Sequence, residues 1–331
     1  MPNRELEEQS ASETPEAAEP AKPRRRGRRR IAAAGGGVLV LGGAATIAVL
    51  AVNGSGGPPK PDLARVPPDF RTFASALPWP TDGETALWAD GVGDLGTCGK
   101  QTAVPIASVA KVMTAYVVLR DHPLTGTDPG PDITVDDQAG FEAFSRDESS
   151  APVRSGQRIS ERTLLELMMV PSANNVARLL ARWDAGSEPA FVAEMNAAAA
   201  GLGMTDTVYT DAAGFDAATR STAADQLKLA ESALTDSTLL NLTAQHETRV
   251  PDDPTLLPNT DSLLGTDGVV GGKTGSSTPA GGALMWAAHR TIGGRDRLVL
   301  GVVLHQNAGT TSEQGLARAL TVSRRLIAAL G

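Results

Sequence analysis

"IASVAKVMTAYVVL", residues 106–119, sets a lysine inside a run that is otherwise almost wholly apolar. Val109, Ala110, Val112, Met113, Ala115, Val117, Val118 and Leu119 surround Lys111, so a helix here has no polar face wide enough to solvate it and belongs in a core. Ammonium groups are rarely buried without a partner, because leaving water either costs the group much of its hydration or strips its proton. The strongly polar neighbour is Ser108, three positions earlier, the spacing at which helical residues meet. Burial lowers a lysine's pKa, and a neutral amine beside a hydroxyl can take its proton during attack on a carbonyl. The competing reading is a lysine that snorkels from a helix start to solvent.

Around this run the 331-residue chain has room for one or two domains and a large core. Its first part does not belong to that core. Residues 1–22 are acidic and rich in Glu, Ser, Ala and Pro, with too few large apolar groups to offset the entropy of ordering. "PRRRGRRR" at 23–30 follows, making 1–30 an expected disordered cytoplasmic tail that ends in a basic cluster. Residues 31–52 are an uncharged stretch long enough to cross a hydrocarbon layer of roughly 30 Å. The arginines on its N-terminal flank predict a single-pass anchor in the cell membrane, with the N-terminus cytoplasmic and the remainder outside. The alternative is a cleaved signal segment and a secreted protein, since twin arginines precede the apolar run. Residues 53–75 are expected to be an extracytoplasmic linker, opening on "NGSGGPPKPD".

Cys98 is the single cysteine, which excludes an intramolecular disulfide. His122, His246, His289 and His305 are scattered with no metal-ligand spacing, so no metal or cofactor is expected. A net charge of −8 argues against nucleic acid, and the membrane explains the one basic cluster. What remains is a small-molecule, peptide or wall-polymer partner.

Strand patterns stand at both ends of the remaining chain. "GETALWADG" (83–91) is one, and "GALMWAAHRTI" with "RLVLGVVLHQ" makes a hairpin around "GGRD". Between them helical periodicity recurs in "SERTLLELMMV", "NNVARLLARW", "EPAFVAEMNAAAAGLG" and "TAADQLKLAESAL", and "SEQGLARALTVSRRLIAAL" closes the chain as an amphipathic helix. The expected fold is α+β, with an antiparallel sheet from N- and C-terminal segments, a helical region inserted between, and a cleft where they meet.

Two further segments hold candidate chemistry. "PSANN" puts Ser172 and Asn174 ahead of a helix, where either would serve as an N-cap. "GGKTGSSTPAGG" holds Lys273, Thr274 and Gly275 before a strand. A phosphate-binding G-x-x-x-x-G-K-[ST] loop would need glycine at Asp267 and a helix directly afterwards, and a plain glycine turn is the other alternative.

Taken together, Ser108-x-x-Lys111, Ser172-x-Asn174 and Lys273-Thr274-Gly275 follow the order of the S-x-x-K, S-x-N, K-T-G set of penicillin-recognising serine enzymes. Over residues 76–331 the chain resembles the low-molecular-weight D-alanyl-D-alanine carboxypeptidases, the S11 type of serine peptidase, with a β-lactamase/transpeptidase-like fold. That resemblance implies a penicillin-sensitive enzyme of cell-wall and cell-shape maintenance that removes the terminal D-Ala of peptidoglycan stem peptides and takes β-lactams as covalent inhibitors. It implies Ser108 as nucleophile, Lys111 as its base, Ser172 and Asn174 as proton-relaying and positioning groups, and Lys273 with Thr274 as the holder of the substrate carboxylate. The Ser108 and Ser276 backbone N–H groups would form the oxyanion hole, beside Gly275. Three features depart from the family pattern: Ser-Ala-Asn in place of Ser-Gly-Asn, "SST" after Gly275, and a single helix where many members carry a further β domain. Rival readings are a serine β-lactamase, for which no E-x-x-L-N segment follows Asn174, an endopeptidase or transpeptidase, and a non-catalytic wall-binding protein.

Overall fold

The computed structural model describes residues 60–331, within the unit Ser55–Gly331. The expected tail at 1–30, the span at 31–52 and the start of the linker lie outside the described residues. Among the described residues no helix is long and apolar enough to cross a membrane. The rest of the expected linker is folded: Asp62 bridges to Thr97, a 3-10 turn at Pro68–Phe70 runs into helix α1 (Arg71–Ser75), and Val66 and Ala74 are buried. Sparse apolar residues in a Pro-rich stretch are enough here because the sheet supplies the partner surface.

Strands β1 (Glu84–Ala89), β2 (Gly93–Cys98) and β3 (Val104–Pro105) lead into a 3-10 turn at Ala107–Ala110 and helix α2 (Lys111–Asp121). There follow β4 (Asp132–Thr134), α3 (Asp137–Glu142), β5 (Arg158–Ser160), α4 (Glu161–Met169), α5 (Asn174–Ala185), α6 (Glu188–Gly201), β6 (Arg220–Ser221), α7 (Ala223–Ala233), α8 (Ser237–Thr243), β7 (Glu247–Thr248) and β8 (Leu257–Pro258). The chain closes with β9 (Val269–Ser277), β10 (Gly281–Ile292), β11 (Arg295–Gln306) and α9 (Ser312–Ala329). Helix starts carry their chemistry in the sequence: Ser160, Ser187 and Thr222 cap α4, α6 and α7, and Thr311 with Gln314 forms a capping box on α9.

The main sheet has the order β2-β1-β11-β10-β9, all antiparallel. Its N-terminal and C-terminal strands thus pair across the inserted helical region, the α+β arrangement expected. Within β10, Leu284, Trp286 and Ala288 pack with Val322, Leu326 and Ile327 of α9, while Ala283, Met285 and Ala287 join the cluster of α2, α5 and α7. Burial on both faces explains why "ALMWAA" reads as a continuous apolar run and not as an alternation. Strand β2 escapes the sequence reading because "GDLGTC" offers two glycines and an aspartate, poor strand formers that its pairing with β1 overrides.

One buried group is unrelated to the cleft. Glu161, in the first turn of α4, is fully buried and neither carboxyl oxygen has a hydrogen-bond partner among the described residues. Burial first and then the Asp128 carboxylate push its pKa up from 4.5 to about 7, against a smaller pull from Arg162. The folded value lies above the unfolded one, so the stability it contributes is full below pH 4.5 and is lost as pH rises through about 7. Glu161→Gln should therefore raise Tm at pH 8 by about 2–4 °C and give no gain at pH 4. Equal effects in melts at the two pH values would count against an ionisation at this position.

Candidate active site

The apolar setting of Lys111 places it at the start of α2, 0% exposed, one of the largest fully buried side chains. Its Nζ lies 2.8 Å from Ser108 Oγ, 2.6 Å from Asn174 Oδ1 and 2.8 Å from the Ala213 carbonyl oxygen. The two carbonyl oxygens can only accept, whereas the hydroxyl can also donate. Nζ donates to the Asn174 and Ala213 oxygens, and its third position meets Ser108 Oγ, where the amine donates while protonated and can accept the hydroxyl proton once neutral. Burial, and next the Lys273 charge, hold the Lys111 pKa well below its ordinary 10.5, with Asp211 and Glu148 pulling the other way. A lysine whose proton is disfavoured by burial is thus in hydrogen-bond reach of a half-buried hydroxyl, and snorkelling to solvent is excluded.

The backbone around Ser108 is set by close approaches. Ala107 has φ of +46°, a conformation few non-glycine residues adopt. Gly214 packs on it so closely that a methyl group there would overlap the Ala107 carbonyl. On the other side a methyl on Gly275 would sit 3.1 Å from Ser108 N and 2.9 Å from Ile106 O, which brings strand β9 against the Ser108 turn. Ser108 also stands at the N-terminal end of α2, where the helix dipole favours negative charge.

Asn174 begins α5, but it is no N-cap: α5 has no side-chain cap bond, and both ends of the Asn174 amide are engaged elsewhere. Its Nδ2 donates to Glu148 Oε2 at 2.6 Å, and its backbone N–H donates to the Ser149 carbonyl at 2.8 Å. Ser172 holds φ of +67°, is buried, and its Oγ has no hydrogen-bond partner among the described residues.

Lys273, Thr274, Gly275 and Ser276 lie in β9, opposite Met285, Leu284, Ala283 and Gly282. A strand continuing past Lys273 rules out the phosphate-loop alternative, which needs a helix there. Lys273 is 1% exposed and its Nζ has no hydrogen-bond partner among the described residues. Burial lowers its pKa to about 7 against the opposing charge of Asp261. The Thr274 and Thr260 hydroxyls are hydrogen-bonded.

A cleft of about 590 Å³ is lined by Ser108 and Asn174, by Ser276–Thr278, by Glu148 with its flanking residues, and by Phe215, while Ser172, Lys273, Thr274 and Gly275 are not among its lining residues. Of the residues the sequence singles out, Ser108 and Asn174 line this cleft and Lys111 contacts both from behind, and Ser276, which the resemblance alone implies, lines it too. Sequence spacing had no means of finding Glu148, Arg178 or the Ala213 carbonyl. Arg178 donates to both Glu148 carboxyl oxygens, at 3.0 and 2.6 Å, and to Glu142 at 3.2 Å. Apart from the cleft, the carboxylates of Asp121, Asp184 and Glu194 converge as a metal site would need, but Arg120 and His122 already sit against them.

Residues 96–307 match the Peptidase S11 family, described as D-alanyl-D-alanine carboxypeptidase. The chain is 32% identical over 240 residues to the D-alanyl-D-alanine carboxypeptidase DacB2 of Mycobacterium tuberculosis, covering 70% of this chain and 78% of that one. Similarity to a D-alanyl-D-alanine endopeptidase of Pseudomonas aeruginosa is 40% identity over 127 residues, 38% of each chain. Among solved structures, the Streptomyces K15 DD-transpeptidase superposes with a TM-score of 0.64 at 26% identity, covering 76% of this chain and 99% of that one. A D-alanyl-D-alanine carboxypeptidase from M. tuberculosis H37Rv gives 0.63 at 28% identity, covering 76% and 93%.

Proposed function

The chain belongs to the Peptidase S11 family of D-alanyl-D-alanine carboxypeptidases, and from that premise we propose that Ser108 is the nucleophile with which it removes the terminal D-Ala of peptidoglycan stem peptides. The observation that carries the proposal is the contact of a fully buried, pKa-lowered Lys111 with Ser108 Oγ at 2.8 Å. Ser108 Oγ attacks the penultimate D-Ala carbonyl carbon and its proton passes to Lys111 Nζ. The oxyanion is held by the Ser108 and Ser276 backbone N–H groups, donors of a kind worth about 3 kcal/mol each. When the C–N bond breaks, the leaving D-Ala nitrogen takes a proton from Lys111 by way of Ser172, whose unpartnered hydroxyl suits a relay. Water then hydrolyses the ester and restores Ser108. Lys273 and Thr274 hold the terminal carboxylate, and a β-lactam carboxylate takes the same place.

The enzyme acts outside the cytoplasm, tethered by residues 31–52. N-terminal sequencing of the membrane-bound protein would separate this from a cleaved signal segment, which would leave no such residues. A second reading is endopeptidase action on cross-links, favoured by the relative from P. aeruginosa. Incubation with a pentapeptide ending in D-Ala-D-Ala should release free D-Ala, and one equivalent of penicillin should stop it. Cleavage of a cross-linked peptide dimer in preference to the pentapeptide would favour the second reading. Rapid loss of penicillin with no release of D-Ala would point to a β-lactamase and sink the proposal.

A further inference from the structure

The Asn174 side chain meets Lys111 with its carbonyl oxygen, and nothing in Asn174 itself forces that orientation. An amide can turn over, and the opposite orientation would aim an NH2 group at the Lys111 nitrogen, competing with Ser108 for its lone pair. The group that decides is on the far side. Glu148 Oε2 accepts from Asn174 Nδ2 at 2.6 Å, and a carboxylate offers only acceptors. Glu148 is in turn held by both Arg178 Nη atoms, and the Arg178 guanidinium sits 5.8 Å from the centroid of the Phe215 ring. Phe215 follows Gly214 and Ala213, whose carbonyl is the other acceptor of Lys111. The contacts form a closed circuit around the base: Lys111, Asn174, Glu148, Arg178, Phe215, Ala213.

We propose that Glu148 is a positioning residue for the acylation step: through its hydrogen bond to Asn174 Nδ2 it fixes the amide so that only the carbonyl oxygen faces Lys111. The inference rests on the assignment of Ser108 and Lys111 above. Its chemistry is consistent with the carboxyl's ionisation, since burial would raise Glu148, but the hydrogen bonds from Arg178 and Asn174 hold it below the usual carboxylate value. Four charged groups bear on Lys111. Lys273 and Arg178 lower its pKa, and Asp211 and Glu148 raise it. Glu148 therefore has two separable effects, orientation through the hydrogen bond and a field that favours the protonated base.

Two variants separate them. Glu148→Gln keeps the size but removes the charge, and its amide cannot accept from both Asn174 and the two arginine nitrogens. Glu148→Asp keeps the charge but withdraws it by one methylene. The rate constant of penicillin acylation, read by intact mass across pH, is expected to fall at least about tenfold in each, the value of one charge-assisted hydrogen bond. The acid limb of the profile should move to lower pH in Glu148→Gln, where Lys111 loses a stabilising anion, and stay in place in Glu148→Asp. A purely structural role would lower Tm and the active fraction without moving that limb. Either folded variant acylating at the parent's rate across the pH range would overturn the proposal. If the parent itself forms no Ser108-dependent adduct, the underlying assignment falls as well, which the parent measurement reveals before any variant is compared.

Discussion

Lys111→Met should slow penicillin acylation by about 10³-fold, within the range a general base contributes, and Ser108→Ala should form no adduct at all. Methionine has nearly the length of lysine and no charge, so it fills the site at 0% exposure without leaving an uncompensated ion. Its cost to stability comes from the Asn174 and Ala213 carbonyl oxygens, which lose their donor at about 1–3 kcal/mol each. Activity and stability thus separate: a folded protein with a lower Tm and almost no acylation. Lys111→Arg tests the same point from the other side, since a guanidinium keeps its proton and cannot serve as base. Rates of adduct formation by intact mass would measure all three variants. Lys111→Met acylating within a few-fold of the parent would remove the amine from the mechanism and leave Ser108 to be activated by the helix terminus alone.

The pattern of what the sequence disclosed follows from distance along the chain. Ser108 and Lys111 are one helical turn apart, so their meeting is a property of local geometry, and an amine in an apolar run is conspicuous to anyone counting faces. The hairpin β10–β11 and the capped helices are local in the same sense. Asn174 reaches Lys111 across 63 residues, and the Ala213 carbonyl across 102. The first was recoverable only because it sits in a recognisable three-residue pattern. A backbone carbonyl leaves no trace in sequence. Glu148 lies in "FSRDESSAP", where neighbouring acidic and polar residues make it look like any solvated loop. Only the fold reveals that this carboxylate is turned inward onto Arg178. The order of residues 60–75 is hidden from sequence for a related reason: Asp62 bridges to Thr97 in β2, itself a weak strand pattern that pairing creates.

Lys273 carries the other large effect. A cation that is 1% exposed with no hydrogen-bond partner among the described residues is costly, and its pKa of about 7 expresses that cost. The folded value lies below the unfolded 10.5, so the native state disfavours the proton, and the destabilisation is full below about pH 7 and relieved as pH rises toward 10.5. On the role proposed for Lys273, a substrate carboxylate would supply the missing partner. Lys273→Met should accordingly raise Tm at pH 6 while lowering kcat/KM for D-Ala release about ten- to hundredfold, the range for a hydrogen bond to a charged group. The parent's kcat/KM should fall on the alkaline side with an apparent pKa near 7, because that ratio reports the free enzyme and the free enzyme must hold the proton. Binding of a carboxylate-bearing product analogue above pH 7 should take up a proton, visible as a buffer-dependent heat in calorimetry. Lys273→Met with undiminished kcat/KM would sever the residue from the substrate. If the variant lost activity but melted no higher at pH 6, the buried charge would not be the strain described, and its neighbour Asp261 would have to be compensating it in full.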